Sequence, residues 1–204
     1  MIILVTATGT GVGKTWLSCA LARELAKHGR VVAVKPMETG GGDDGEMLAA
    51  ATGQREPRRA LLRLRDPLTP ALAADRDGVT IDFDALVADI ARLAKNHDHA
   101  IVEGAGGVLS PLTWEADATD LARRLGAKVL LVAPDALGTL SAVRTAVLAI
   151  ECAAIALVAP TARDASTGTN AAALRRRLEP PIFEVGRDDT SSVAEIARVL
   201  ASIA

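Results

Sequence analysis

The chain has 204 residues, of which 50% are hydrophobic and 24% are charged, and its formal net charge is -2. This length and hydrophobic content suffice for one compact domain with a sizeable core, so we expect a single domain over residues 1–204. The Lys and Arg residues are scattered and give no basic excess to hold a phosphate backbone, so we expect no nucleic-acid partner.

The start of the chain and its cysteines bear on where the protein works. Met1 is followed directly by the apolar run 2–5, and the other apolar runs are short and broken by Gly or charge. We therefore expect no signal peptide, no membrane span and a cytoplasmic location. Cys19 and Cys152 lie far apart in predicted core elements, where we expect buried hydrophobes rather than metal ligands or nucleophiles.

Short β-branched runs alternate along the chain with longer Ala/Leu-rich segments whose apolar residues recur three and four positions apart. Most of the runs are apolar at successive positions, as in parallel strands covered on both faces. This predicts a doubly wound α/β fold, a mainly parallel sheet with helices on both faces, which binds ligands at the carboxyl ends of its strands. The predicted strands are 2–6, 31–35, 100–103, 128–133, 155–159 and 182–185, and the predicted helices are 14–28, 82–95, 117–125, 140–151, 170–178 and 191–203.

A glycine-rich loop, Ala-Thr-Gly-Thr-Gly-Val-Gly-Lys-Thr at 7–15, joins the first predicted strand to the first predicted helix. Glycines let the backbone N–H groups face an anion, and the helix N-terminus adds about half a unit of positive charge. We expect Lys14 to reach the β- and γ-phosphates of a nucleotide and Thr15 to take a Mg²⁺ position. The loop predicts a P-loop NTPase-like domain, with Gly9, Gly11, Val12, Gly13, Lys14 and Thr15 as nucleotide-binding candidates.

The loop is a variant of the common phosphate-binding pattern. Thr8 stands where that pattern has its first Gly. Gly9 stands where switch ATPases of the partition and cell-division type carry an additional Lys, which counts against that class. Ala7 fits the loop only with a negative φ, because the left-handed region strongly favours glycine.

Two further groups of polar residues follow the second predicted strand. Lys35 ends that strand, where an ammonium near bound phosphates can neutralise charge that develops during phosphoryl transfer, although it could equally be a solvated strand terminus. In the pair Asp43 and Asp44, a carboxylate could supply an oxygen ligand to Mg²⁺, or it could cap a helix. The two roles are compatible, with one Asp capping and the other on the metal.

The third predicted strand runs into Glu-Gly-Ala-Gly-Gly at 103–107. Glu103, at the strand tip beside the phosphate loop, can hold Mg²⁺ directly or through water, and the glycines let a substrate approach the backbone. The alternative is an ordinary glycine-rich turn. Glu103 and Gly106 join the nucleotide-binding candidates. The His-Asp-His stretch at 97–99 precedes this strand, on the opposite side of the sheet from the site, so we expect a solvated loop there.

In this order the motifs resemble those of dethiobiotin synthetases, the ring-closing ligases of biotin synthesis. The family's Gly-Thr-x-Thr-x-Val-Gly-Lys-Thr loop is matched at every specified place except Ala7. Its Lys-Pro-x-x-(Ser/Thr)-Gly and Val-Glu-Gly-Ala-Gly-Gly strings stand intact at 35–40 and 102–107. Asp44 fits its Asp-x-x-x-Leu spacing, and 66–73 resembles a segment that lies near the family's substrate. The resemblance covers about the first 140 residues.

The resemblance implies a homodimeric cyclo-ligase that carboxylates a small-molecule diamine, 7,8-diaminononanoate, with CO₂ and closes the ureido ring. ATP would be the co-substrate, with room for other nucleoside triphosphates, and Mg²⁺ the cofactor. We expect catalytic roles for Lys14, Lys35 and Thr10, and Mg²⁺ ligands at Thr15, Asp44 and Glu103. The implied substrate contacts are Thr10, Lys35, Thr39, Gly104, Ala105, Gly106 and Gly107, together with Gly138 and Thr139 acting on the neighbouring subunit's substrate.

The sequence departs from the family's pattern towards its end. Pro160 replaces the Asn that bonds adenine, and Pro offers neither a side-chain amide nor a backbone donor. Gly186 stands at an expected Pro, and Ser141 and Ala142 replace an Asn and a His. Base selection therefore stays open, and we expect the nucleotide to be held mainly through its triphosphate.

Two alternatives to this reaction stay open at this point. An ATP-dependent amidoligase could share the loop and the parallel sheet yet activate a carboxylate. A non-catalytic switch ATPase could instead work by nucleotide-dependent dimerisation. The fold cannot choose among these functions, because P-loop scaffolds host many of them.

Overall fold

The computed structural model describes residues 1–186 and 189–202, and none of the helices in those ranges has the length and apolarity to cross a membrane. Strands and helices alternate along most of the chain. The strands are β1 (Ile2–Ala7), β2 (Val31–Val34), β3 (Met37–Thr39), β4 (Leu62–Leu64), β5 (His99–Glu103), β6 (Lys128–Pro134), β7 (Ala154–Val158) and β8 (Ile182–Val185). The helices are α1 (Lys14–Leu25), α2 (Asp44–Thr52), α3 (Pro70–Asp77), α4 (Phe83–Lys95), α5 (Ala118–Leu125), α6 (Thr139–Ala149), α7 (Asn170–Leu174) and α8 (Thr190–Ser202).

Six of the described strands form a parallel sheet in the order β2-β5-β1-β6-β7-β8. Successive residues of the central strand β1 enter different cores, because side chains alternate across a strand. Leu4 packs with the cluster under α4 and α5, whereas Ile3 and Val5 pack with the cluster under α1 and α8. The predicted doubly wound parallel fold is therefore confirmed, and both cysteines are buried as expected.

The parallel register brings the expected site residues to one edge of the sheet. Val5 of β1 pairs with Glu103 of β5, and Val34 of β2 pairs with Val102. The segments that leave β1, β2 and β5 therefore start side by side. These segments are the glycine-rich loop, Lys35 and the turn at 104–107.

Several elements differ from the predicted ones. Helix α1 ends at Leu25 rather than at residue 28, and α7 is a short helix that ends at Leu174. The small parallel sheet β3–β4 and the helices α2 and α3 were not predicted. Strands of three residues that contain a charged side chain show no usable periodicity, which explains why β3 and β4 were missed. Residue 203, the last one of the final predicted helix, lies outside the described residues.

Helix capping distinguishes two aspartates that look alike in sequence. The Asp117 carboxylate accepts a hydrogen bond from the backbone N–H of Thr119 at 2.7 Å, and Asp120 accepts one from the N–H of Asp117 at 3.2 Å. These bonds satisfy amide groups that would otherwise be unpaired at the start of α5. Asp43 occupies the same position before α2, but within the described part of the chain its side chain makes no capping bond.

We therefore expect Asp117→Ala to lower the free energy of unfolding by about 1 kcal/mol, because a capping bond is lost. The matched variant Asp43→Ala should cost at most a few tenths of a kcal/mol. Urea denaturation followed by circular dichroism measures both. Equal losses in the two variants would contradict this assignment of the caps.

Candidate active site

The glycine-rich loop at 8–13 connects β1 to α1 and needs glycine at two of its positions. Gly11 and Gly13 have φ angles of 74° and 101°, in the left-handed region that favours glycine. A Cβ on Gly13 would also lie 3.0 Å from Cγ1 of Val158. Ala7 and Thr8 have negative φ, since the structure gives positive φ to no described residue other than glycine. The two departures from the usual loop pattern are thus accommodated without strain.

Lys14 lies folded over the loop that precedes it. Its Nζ donates to the backbone oxygen of Gly9 at 3.1 Å and to that of Gly106 at 2.9 Å. Burial, followed by the nearby charge of Lys35, lowers the pKa of Lys14 to about 8. Its hydrogen bonds go to backbone carbonyls, and the charges of Glu103 and Asp44 offset only part of this lowering.

Lys35 lies between two carboxylates. Its Nζ is 2.7 Å from Oε1 of Glu103 and 2.7 Å from Oδ2 of Asp44. The Thr15 hydroxyl lies 2.8 Å from the same Glu103 oxygen and 2.9 Å from Oδ1 of Asp44. Burial disfavours the charged form of Lys35, but the two carboxylates outweigh burial and raise its pKa. Burial likewise acts to raise the pKa of Asp44, but the Lys35 charge, the hydrogen bonds from Lys35 and Thr15, and the Lys14 charge together outweigh burial and lower that pKa.

Glu103 is completely buried, with 0% of its surface exposed. Its Oε1 accepts hydrogen bonds from Nζ of Lys35 and from the Thr15 hydroxyl. Its Oε2 has no hydrogen-bond partner within residues 1–186 and 189–202. A buried carboxylate oxygen without a partner costs free energy that the native structure must offset elsewhere. The position of Glu103 at the end of β5, in register with Val5, fixes it beside the glycine-rich loop.

The turn at 104–107 packs directly against the glycine-rich loop. A Cβ on Gly107 would lie 3.3 to 3.5 Å from backbone atoms of residues 7–9, so the two segments approach closely. The N–H of Gly107 donates to Oγ of Ser110 at 2.8 Å. Gly106, with a φ of 70°, turns its carbonyl towards Lys14. The turn is thus held from both sides.

A cleft of about 800 Å³ opens over these segments. Most of the predicted site residues line it, namely Thr10, Gly11, Gly13, Lys14, Thr15, Lys35, Thr39, Asp44, Glu103, Ala105 and Gly106. Residues 67–70 also line it, as their resemblance to a substrate-proximal segment led us to expect. Of the two adjacent aspartates, Asp44 faces the cluster and Asp43 is exposed.

Other predicted residues lie outside the cleft lining, namely Gly9, Val12, Gly104, Gly107, Gly138 and Thr139. The carbonyl groups of Gly9 and Gly104 still contact the two lysines, at 3.1 and 3.4 Å. Gly138 and Thr139 begin α6, away from this chain's own cleft. Thr139 is buried there, and its Oγ1 has no hydrogen-bond partner among the described residues.

Sequence reasoning missed several residues of the cleft, which are Trp16, Met37, Glu38, Gly42 and Ser110. Glu38 carried one signal that could have identified it. It is a charged residue placed between two motif positions, Lys35 and Thr39, in a segment that follows a buried strand. Ser110 carried none, because its contact with Gly107 depends on how the turn closes.

The parallel sheet, the glycine-rich loop between β1 and α1, and the lysine and threonine at the helix start define a P-loop nucleotide-binding protein. Solved structures agree on the fold. Chloroplast FtsY from Physcomitrella patens is similar with a TM-score of 0.59 and 17% identity, over 96% of this chain and 64% of that one. A ParA family ATPase from Chlorobium tepidum TLS is similar with a TM-score of 0.58 and 14% identity, over 98% and 93%.

Sequence comparison is more specific than the fold. The profile of a family described as AAA domain matches residues 2–175. The ATP-dependent dethiobiotin synthetase BioD of Caulobacter sp. (strain K31) is 38% identical, over 99% of this chain and 95% of that protein. The protein of the same name from Nitrosospira multiformis is 37% identical, over 96% and 95%. This chain belongs to the dethiobiotin synthetase family, as its motifs predicted.

The contacts of Lys35 generate a stability prediction. Lys35→Ala removes the cationic partner of a fully buried carboxylate, so we expect the free energy of unfolding to fall by about 3 kcal/mol. The double variant Lys35→Ala/Glu103→Gln should recover part of the loss, because it removes the unpaired charge. Chemical denaturation of both variants measures this, and no recovery would contradict it.

The lowered pKa of Lys14 generates a pH prediction. The negative charge of a nucleoside triphosphate favours the protonated form of Lys14, so above pH 8 the protein must take up a proton when it binds ATP. We therefore expect the affinity for ATP to fall by up to about tenfold per pH unit between pH 8 and 9. Calorimetric titration with ATP at several pH values measures this dependence. Lys14→Arg should remove it, because an Arg side chain stays charged throughout this range. A wild-type affinity that is flat across this range would contradict the prediction.

Proposed function

We propose that this chain is an ATP-dependent dethiobiotin synthetase that carboxylates 7,8-diaminononanoate with CO₂ and closes the ureido ring. The observation that carries the proposal is the convergence of Lys14, Lys35, Asp44 and Glu103 at one cleft on the carboxyl edge of the sheet. Family membership supports the choice of reaction, since the relatives are named for it. The amidoligase and switch-ATPase alternatives have no comparable support.

Mg²⁺ is the cofactor that suits this cleft, and Thr15, Asp44 and Glu103 are the residues that would hold it. All three offer hard oxygen atoms, which Mg²⁺ prefers, and phosphate oxygens and water commonly complete its shell. Two observations support the fit. Oε2 of Glu103 has no hydrogen-bond partner among the described residues. The Thr15 hydroxyl lies near both carboxylates but has a single hydrogen, so it can donate to only one of them at a time. When bound, Mg²⁺ would neutralise charge on the phosphate oxygens.

The chemistry needs alignment and neutralisation of charge more than it needs covalent help. One amine of the substrate adds to CO₂ and loses a proton to form a carbamate. A carbamate oxygen then attacks the γ-phosphorus, and ADP leaves. The second amine attacks the carbonyl carbon of the resulting carbamoyl phosphate and loses a proton, and inorganic phosphate leaves as the urea ring closes. In each step the carbamate and phosphate oxygens carry negative charge, and nearby cations stabilise that charge while the cleft aligns the reacting groups.

The residues of this chain would divide these tasks by position. Lys14, beside the glycine-rich loop, would bind the β- and γ-phosphates, and Lys35 would stabilise the phosphoryl group as it moves to the carbamate. Thr10 and Thr39 line the cleft and would orient the carbamate and the diamine. The turn at 104–107 would present its backbone to the substrate. A cleft of about 800 Å³ suits two small ligands, because binding pockets commonly span about 300–1,000 Å³.

Assembly as a homodimer and a cytoplasmic location belong to the same proposal. Gly138 and Thr139 lie outside this chain's own cleft, so any contact that they make with substrate would be with that of a neighbouring subunit. Leu137, just before α6, and Leu148, in its last turn, are 85% and 88% exposed, and we assign both to the intersubunit surface. The nucleotide would be held mainly by its triphosphate, because Pro160 offers the base no donor.

The test is incubation with 7,8-diaminononanoate, bicarbonate, Mg²⁺ and each of ATP, CTP and GTP, with detection of the cyclic urea by mass spectrometry. We expect product that depends on both nucleotide and diamine. Lys14→Ala should lower turnover by about a hundredfold or more, because a cation that stabilises the transition state is lost. Its melting temperature, measured alongside, should remain close to that of the wild type.

Two outcomes would contradict the proposal. Nucleotide hydrolysis that ignores the diamine would point to a switch ATPase. Phosphate release with a carboxylic acid in place of the diamine would point to an amidoligase.

A further inference from the structure

A buried carboxylate lines the cleft at an unspecified position of the motif at 35–40. Glu38, in the middle of β3, is 4% exposed. Its register partner in the small parallel sheet is Arg63 of β4, whose Nε lies 3.4 Å from Oε2 of Glu38. A buried charge needs such a partner and needs hydrogen bonds to its remaining oxygen. The contacts of that second oxygen are informative.

Glu38 and Arg63 together hold both ends of the short segment 42–45. Oε1 of Glu38 accepts a hydrogen bond from the backbone N–H of Gly45 at 3.3 Å. Nη2 of Arg63 donates to the backbone oxygen of Gly42 at 3.1 Å. The ion pair therefore fastens the start of α2 to the small sheet.

The position of Gly45 leaves this segment little freedom. A Cβ on Gly45 would lie 2.3 Å from the backbone nitrogen of Ala60, so the start of α2 is pressed against the chain that leads into β4. On the other side, the N–H of Gly40 extends the β3–β4 ladder by donating to Leu64 at 3.1 Å. The segment between these anchors carries Asp44.

Asp44 is the part of the proposed Mg²⁺ site that the main sheet does not fix. Glu103 lies on β5, and Thr15 lies in the first turn of α1. Asp44, by contrast, begins α2 and comes from the segment that Glu38 and Arg63 hold. We infer that Glu38 is a positioning residue which, with Arg63, places the Asp44 carboxylate for Mg²⁺; this rests on the proposed function of Asp44.

The test is the gain in affinity that Mg²⁺ gives to a non-hydrolysable ATP analogue, measured by calorimetry with Mg²⁺ and with a chelator. In the wild type, Mg²⁺ should tighten binding. Glu38→Ala should reduce this gain about tenfold and leave the affinity in chelator unchanged, because Lys14 and the glycine-rich loop are untouched. Glu38→Gln, whose amide oxygen can still accept from Gly45, should keep most of the gain.

Two further variants keep the inference testable if Glu38→Ala does not fold. Arg63→Met removes a half-exposed side chain and should reduce the gain several-fold. The control is Glu46→Ala, which removes an exposed glutamate of α2 whose carboxylate pairs with Arg59 at 3.0 Å. It should leave the gain unchanged.

A double-variant cycle separates positioning of Asp44 from other roles. In an Asp44→Ala background, Glu38→Ala should cause no further loss of the Mg²⁺ gain. A further loss in that background would overturn the inference, as would a Glu38→Ala protein that melts at a lower temperature yet keeps the full gain. A wild type without any Mg²⁺ gain would overturn the proposed Mg²⁺ site itself. Absence of diamine turnover with the predicted pattern of gains would overturn only the proposed reaction.

Discussion

The structure depends on the burial of one carboxylate, that of Glu103, at the end of a central parallel strand. Removing such a charge from water costs several kcal/mol unless cations and hydrogen bonds compensate it. Lys35 and Thr15 supply that compensation at one of its oxygens. The fold thus holds the Glu103 carboxylate at the point where the proposed reaction needs Mg²⁺. This carboxylate therefore requires cationic or hydrogen-bonding groups beside it.

The parallel sheet allows these groups to stabilise the Glu103 carboxylate, because the carboxyl ends of neighbouring parallel strands lie at the same edge. Glu103 is in register with Val5, so the loop that follows β1 must pass beside it. Burial and the nearby charge of Lys35 lower the pKa of Lys14, whose hydrogen-bond partners are two backbone carbonyls. At Lys35, two carboxylates outweigh burial and raise the pKa. The two ammonium groups of the cleft therefore differ in their partners. Lys35 is already paired with Asp44 and Glu103, whereas in the proposed reaction Lys14 would pair with the phosphates of the nucleotide.

Much of this arrangement could be predicted from sequence, for a definite physical reason. The glycine-rich loop that leads to Lys14 and Thr15 directly follows β1, Lys35 directly follows β2, and Glu103 ends β5. The strand ends of a doubly wound sheet meet at one edge. The partners of Lys35 could not be predicted, because they depend on how closely the side chains approach. Nor could the small sheet, since Glu38 and Arg63 face each other across three-residue strands that show no pattern.

The cleft therefore has two walls of different origin. The wall on the main sheet contains the glycine-rich loop, and FtsY and ParA family proteins of low sequence identity share its fold. The opposite wall is built by β3, the start of α2 and the segment 67–70, none of which belongs to the six-stranded sheet. In the proposed reaction, the nucleotide's phosphates would lie against the first wall, and the second wall would recognise the acceptor of the phosphoryl group. Asp44, at the start of α2, links the two walls, because its carboxylate contacts Lys35 and Thr15.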